Sequence, residues 1–223
     1  MNILITGASK GIGRALVKEI LQHTPKETKI ICVARNQKAL KDLHHEFGQQ
    51  VVPVIADVSS EKDLQHIVDQ VKQLKSLDLL INNAGVLKKD YTEKDFTESF
   101  QVNAIAPFLL TRSLLPYLNH GKNPQVVQIS TLMSSIADNS SGGYYAYRSS
   151  KAALNMITKS LAIDHPKIKF LLIHPGWVKT EMGGDQAPLS PETSALGIWK
   201  VITTQTLNET GCFKDYRGNS LPW

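Results

Sequence analysis

Tyr147 and Lys151 stand four residues apart in the run YAYRSSKAALN. On a helix that spacing puts both side chains on one face. A phenol titrates near ~10 in water, and a neighbouring ammonium favours the phenolate. A shift of roughly 2–3 units, about 3–4 kcal/mol, lets a tyrosine exchange a proton near neutrality. One unit charge about 4 Å away, at an effective dielectric of ~20, supplies about that much. The pair therefore reads as a general acid–base unit. The plainer alternative is a tyrosine packed in the core beside a solvated lysine. Which holds depends on the elements around it.

Those elements alternate between strand and helix. β-branched runs predict strands over Asn2–Thr6, Lys29–Ala34, Val51–Ala56, Leu77–Asn82, Gln125–Ser130, Lys167–His174 and Gly211–Phe213. Amphipathic stretches predict helices over Gly11–His23, Gln37–Phe47, Glu61–Leu74, Thr92–Leu118, Gly143–His165 and Pro191–Gln205. Ser59 and Ser60 suit the cap of the third helix, and Pro107 predicts a kink in the fourth. Such alternation implies βαβ units: a doubly wound α/β sheet of parallel strands with helices on both faces. No repeat or linker divides residues 1–223, so one domain is expected. Residues 182–191, rich in Gly, Pro and Ser, follow a strand's carboxyl end, where such sheets bind ligands. They read as a mobile substrate loop.

Composition narrows the classes. At 42% hydrophobic the chain has ample core. Cys32 and Cys212 make no disulfide framework, and Cys32 in its apolar run suits packing in a reducing compartment. No apolar run reaches ~18 residues, so no membrane span is expected. No secretory leader is visible, and the cytoplasm is the expected location. The net charge of +5 is spread along the chain without basic clusters. That argues against nucleic acid and is compatible with an anionic small molecule.

The first strand runs into Thr6-Gly7-Ala8-Ser9-Lys10-Gly11-Ile12-Gly13 and then a helix. Glycines allow a tight turn and a close approach of backbone to phosphate, and the helix N-terminus offers free N–H groups. The loop predicts dinucleotide binding. The second strand ends in Arg35, where an acidic residue would hold the ribose hydroxyls of NAD. Arg35 and Lys10 can instead pair with a 2′-phosphate, which favours NADP(H) over NAD(H). Asp57 and Val58, at the end of the third strand, suit the adenine. His174, at the end of the sixth strand, reads as a satisfied core histidine rather than a catalytic one.

With Asn82-Asn83-Ala84-Gly85 after the fourth strand, the glycine loop and Tyr147-x-x-x-Lys151 in order, the chain resembles the short-chain dehydrogenase/reductase family. The runs GGYYAYRSSKAALN and FKDYRGNSLPW are similar to its C-factor-like subgroup, itself similar to sniffer-type carbonyl reductases. The resemblance implies a seven-stranded parallel sheet. It implies that Gly7, Ser9, Ile12 and Gly13 cradle the cofactor phosphates. Asn83, Ala84 and Gly85 would line the adenine-side ribose and steady the central strand. Pro175, Gly176, Val178 and Thr180 would contact the nicotinamide amide. Asn103 would hold a water in a proton relay, and Tyr147 would be the acid–base. Lys151 would bind the nicotinamide ribose and lower the tyrosine's pKa. The family's catalytic serine has two candidate positions here. Aligned from the strand end it is Thr131, the preferred reading; counted thirteen residues back from Tyr147 it is Ser134, with Ser135 beside it.

The implied function is reduction of an aldehyde, ketone or quinone by an NADP(H)-dependent enzyme that forms homo-oligomers. Tyr144, Tyr145 and Trp177 suit the lining of an apolar pocket. The alternative is a cofactor-binding signalling protein of the same fold with little turnover.

Overall fold

The computed structural model describes residues 1–89 and 91–223. Seven parallel strands form one sheet: β1 (Asn2–Thr6), β2 (Lys29–Ala34), β3 (Val51–Ile55), β4 (Leu79–Asn82), β5 (Gln125–Ile129), β6 (Lys169–His174) and β7 (Cys212–Asp215). Their order is β3-β2-β1-β4-β5-β6-β7. The helices are α1 (Gly11–Gln22), α2 (Gln37–Phe47), α3 (Glu61–Leu74), α4 (Glu93–Phe100), α5 (Ala106–Leu118), α6 (Tyr145–Asp164) and α7 (Pro191–Thr204). The strands are near-continuous apolar runs because both faces are covered. In β1, Ile3 and Ile5 pack toward α1, α2 and α7, whereas Leu4 packs toward α3, α5 and α6. The chain leaves β1 toward β3 on one side and returns to β4 on the other. That reversal opens a crevice over the carboxyl ends of β1 and β4, where ligands bind in such sheets.

Three features depart from the sequence reading. The expected single helix over Thr92–Leu118 is α4, a wide π turn over Gln101–Ile105, and α5. Pro107 offers no N–H to the preceding turn, and Ala106 N donates to Gln101 O, five residues back. Helix α6 starts at Tyr145 rather than Gly143, because Gly142, Gly143 and Tyr144 all have positive φ (65°, 67° and 49°). Pro191 opens α7, as the helix reading expects, so the loop before it ends at Ser190. That loop is not loose: Lys179 N donates to Leu189 O at 2.7 Å, Leu189 N to Trp177 O at 3.3 Å and Gly184 N to Thr180 O at 2.8 Å. The expected mobility came from composition, while the order comes from main-chain pairing between its two ends. No helix among the described residues is long and apolar enough to cross a membrane.

Candidate active site

The loop between β1 and α1 is a cradle shaped by what is missing from it. A Cβ on Gly13 would lie 2.2 Å from Gly7 O, so no side chain fits there. Gly7 and Gly11 hold φ of 67° and 53°, in the region open to glycine. No side chain caps the start of α1, so its first N–H groups face outward near half-buried Ser9 and Ile12. Such a terminus seats an anion, and the loop fits a pyrophosphate. The cradle is fastened to β4. Asn83 Nδ2 donates to Thr6 O and Gly7 O at 2.9 and 3.1 Å. Thr6 Oγ1 accepts from Asn83 N and Ala84 N, both at 3.0 Å. The Asn83 side chain is thereby spent on holding the loop, leaving its main chain, Ala84 and Gly85 to line the crevice. Thr6, passed over in the sequence, is the residue that ties the two strands.

At the outer end of the crevice, Val58 shares a recess with Thr6, Ala84 and Val102. Arg35 is 77% exposed, and its Nη1 lies 3.5 Å from Asp57 Oδ2. Burial raises the Asp57 pKa, but hydrogen bonds from Ser59 and the Arg35 charge outweigh it, and the carboxyl is held below its ordinary range. Lys10 pairs with Glu181, both exposed. Each basic residue expected at a 2′-phosphate therefore has a carboxylate partner in this structure.

Helix α6 carries Tyr147 and Lys151. Tyr147 and Lys151 are 7% and 4% exposed, so the reading of a solvated lysine fails. Lys151 Nζ donates to Ile129 O at 2.7 Å. Burial lowers its pKa to about 8. Burial also pushes the Tyr147 phenol up to about 12, opposed by a hydrogen bond with Thr131. For the tyrosine, desolvation outweighs the interaction that opposes it. Water is excluded from the phenol, and the ammonium is turned to a carbonyl.

Of the three candidate hydroxyls, Thr131 acts on the tyrosine, opposing the rise in its pKa. Ser134 Oγ donates to Thr131 O at 2.6 Å and accepts from Asn155 Nδ2 at 2.8 Å. Ser135 Oγ donates to Trp223 O at 3.1 Å and accepts from Asp138 N at 3.0 Å. Asn103 sits in the π turn, a geometry frequent at functional sites. Its Oδ1 accepts from Val86 N and its Nδ2 donates to Val86 O, each at 2.9 Å, and Nδ2 also donates to Ser150 Oγ at 3.0 Å. A Cβ on Gly85 would lie 3.2 Å from Asn103 Oδ1 and 3.6 Å from Lys151 Nζ, so both converge on that glycine.

The segment after β6 closes over the cradle. The methyl of Thr180 lies 3.1 Å from where a Gly11 Cβ would be. Gly176 has φ of 85°, and a side chain there would meet Leu189 and Tyr216. Pro175 O accepts from Ser194 Oγ at 2.7 Å, and Val178 bridges to Leu189. Trp177 and Met182 are exposed, with Trp177 Nε1 donating to Gly183 O at 2.8 Å. Tyr145 meets Tyr91 edge-on, centroids 5.3 Å apart, and half-buried Tyr144 donates its N–H to Tyr91 Oη at 3.4 Å. His174 is half-buried, and its buried Nδ1 has no protein hydrogen-bond partner, so it is not the satisfied histidine expected. Burial lowers its pKa, against the charges of Asp215 and Asp138.

A model of the short chain dehydrogenase family matches residues 1–189. The chain belongs to that family. Like other short-chain dehydrogenases it is an oxidoreductase, and its relatives bracket it closely. The C-signal protein of Myxococcus xanthus is 41% identical over 154 residues, covering 66% of this chain and 93% of that one. The carbonyl reductase Sniffer of Drosophila melanogaster superposes with a TM-score of 0.93 at 32% identity, over 100% of this chain and 99% of that one. The NADPH-bound carbonyl reductase from chicken fatty liver gives 0.92 at 30% identity, over 100% and 98%.

Proposed function

We propose that this short-chain dehydrogenase is an NADP(H)-dependent carbonyl reductase acting on an aldehyde, ketone or quinone. The burial of Tyr147 and Lys151 one turn apart on α6, with the Thr131 hydroxyl near enough to act on the phenol, carries the reading, because a single carbonyl oxygen can meet both hydroxyls. Gly7, Ser9, Ile12 and Gly13 hold the pyrophosphate, Asp57 and Val58 the adenine, and Arg35 with Lys10 the 2′-phosphate. When bound, NADPH would supply the hydride, two electrons and a proton nucleus, that the carbonyl carbon accepts. Thr131 orients the carbonyl oxygen by hydrogen bonding. Tyr147 gives its phenolic proton to that oxygen as charge develops, completing the alcohol. Lys151, one turn along, sustains the phenolate until a proton returns from solvent, and Asn103 holds the turn through which that path runs. The NADPH and NADP bound to structural neighbours support the cofactor.

Helix α6 exposes Tyr145, Met156 and Ile163 along one stripe, and Ile105 is exposed at the head of α5. Such a patch suits a partner, and the enzyme forms a homodimer through it. Both cysteines are free, which fits work in the cytoplasm. The likeness to C-signal favours one other reading, a cofactor-binding signalling protein with little turnover.

The test is a panel of aldehydes, ketones and quinones with NADPH and NADH. We expect turnover with a higher kcat/KM for NADPH. Tyr147→Phe keeps the NADPH Kd and loses about 10²–10⁴-fold in kcat. A preference for NADH refutes the roles of Arg35 and Lys10. Full activity in Tyr147→Phe refutes the mechanism. Silence of the whole panel with tight NADPH binding moves the protein to the signalling reading.

A further inference from the structure

We propose that Asn155 is a positioning residue that sets the Thr131 hydroxyl against Tyr147; the inference rests on the reductase reading just given. Asn155 follows Lys151 by one turn on the buried side of α6 and is 3% exposed. Its amide closes a ring of side chains behind the site. Ser130 Oγ donates to Asn155 Oδ1 at 2.7 Å. Asn155 Nδ2 donates to Ser134 Oγ at 2.8 Å. Ser134 Oγ donates on to Thr131 O at 2.6 Å, and the two serine hydroxyls lie 3.3 Å apart. Ser130 and Ser134, 2% and 4% exposed, flank Thr131 in the chain, so the ring grips the main chain on both sides of it.

The consequence is geometric. Thr131 follows the end of β5, in a loop that turns through the 3₁₀ segment Leu132–Ser134. A loop alone places a hydroxyl less well than a helix does. Here α6 carries both Tyr147 and the amide that grips the loop, and within the loop Thr131 Oγ1 accepts from Met133 N at 3.2 Å, so the amide sets the hydroxyl through the main chain that carries it. The amide is suited to the task because it offers an acceptor to Ser130 and a donor to Ser134 at once. Low dielectric strengthens each bond, and a broken ring leaves buried polar atoms unpaired.

The experiment is a cycle of variants. Asn155→Ala should lower kcat by about 10- to 100-fold, the scale of a small misplacement in an active site. The Kd for NADPH, measured by fluorescence titration, should stay within twofold. Ser134→Ala should reproduce the effect and serves as the test if Asn155→Ala does not fold. In the Thr131→Ala background Asn155→Ala should change kcat by less than twofold, because its effect runs through the missing hydroxyl. A residue that only fills the core would lower kcat by the same factor in both backgrounds, and that result overturns the proposal. A second arm needs no turnover. The methyl carbon resonance of Thr131 in cofactor-free protein should shift alike in Asn155→Ala and Ser134→Ala. An unmoved resonance also overturns it. If the wild type reduces nothing, the reductase reading fails while the resonance still decides whether Asn155 sets Thr131.

Discussion

Burial acts on Tyr147 and Lys151 in the same sense: it disfavours the charged form of each. The phenol is pushed up to about 12 and the ammonium down to about 8. The spacing of the pair was legible in the sequence, but the direction of these shifts was not, since it depends on walls built by β5 and the π turn. The same holds for the hydroxyls. Ser134 and Ser135 are claimed by Asn155 and by the main chain of Trp223, 21 and 88 positions away. The lysine shift has a measurable consequence. Between pH ~8 and ~10.5 the unfolded lysine binds a proton that the folded one does not, so stability rises with pH across that window. Below pH ~8 the protein carries the full cost of a buried charge, on the order of 3 kcal/mol. Lys151→Met should therefore be more stable than wild type at pH 7 by about that amount, while losing turnover. The gap should shrink as pH rises from 8 toward 10. Urea unfolding of both proteins at pH 7 and pH 10 measures it, and a gap that does not change with pH would refute the buried charge.

The glycine loop and the segment after β6 are far apart in sequence yet meet at Thr180 on Gly11 and Glu181 on Lys10. The cradle itself was legible, because glycine spacing after a first strand has few other uses. The composition of the covering segment suggests a mobile loop, and the main-chain bonds between Trp177 and Leu189 leave no mark on it. Glu181 was not singled out at all. Its carboxylate occupies the lysine that a 2′-phosphate would need, and its own pKa is lowered by that lysine. Glu181→Gln should tighten NADPH binding about two- to fivefold at low salt, the scale of an exposed ion pair. NADH should gain less, having no 2′-phosphate, and both gains should fade at high salt. Titration of the two cofactors at two ionic strengths decides it. Equal gains for NADH and NADPH would show that Glu181 acts on the pyrophosphate and not through Lys10.

At the scale of the molecule, the strand–helix alternation made the doubly wound sheet readable, because strands covered on both faces must be apolar throughout. The outer surface was less readable, and α6 shows why. Its period carries two messages at once, with Tyr147, Lys151 and Asn155 buried and Tyr145, Met156 and Ile163 left outside. Met156 and Ile163 are 69% and 70% exposed, an unfavourable place for such side chains in a lone molecule. A second copy pairing along this stripe would cover them and press on the helix that holds Tyr147 and Lys151. Sedimentation equilibrium should find a dimer at micromolar concentration. Met156→Glu with Ile163→Glu should give a monomer that still binds NADPH, since neither residue faces the cradle. Burial of the stripe would add to the stability of the assembled wild type, so its melting temperature should rise with protein concentration and that of the double variant should not. A wild type that sediments as a monomer, with a melting temperature independent of concentration, would leave α6 to hold the site without a partner.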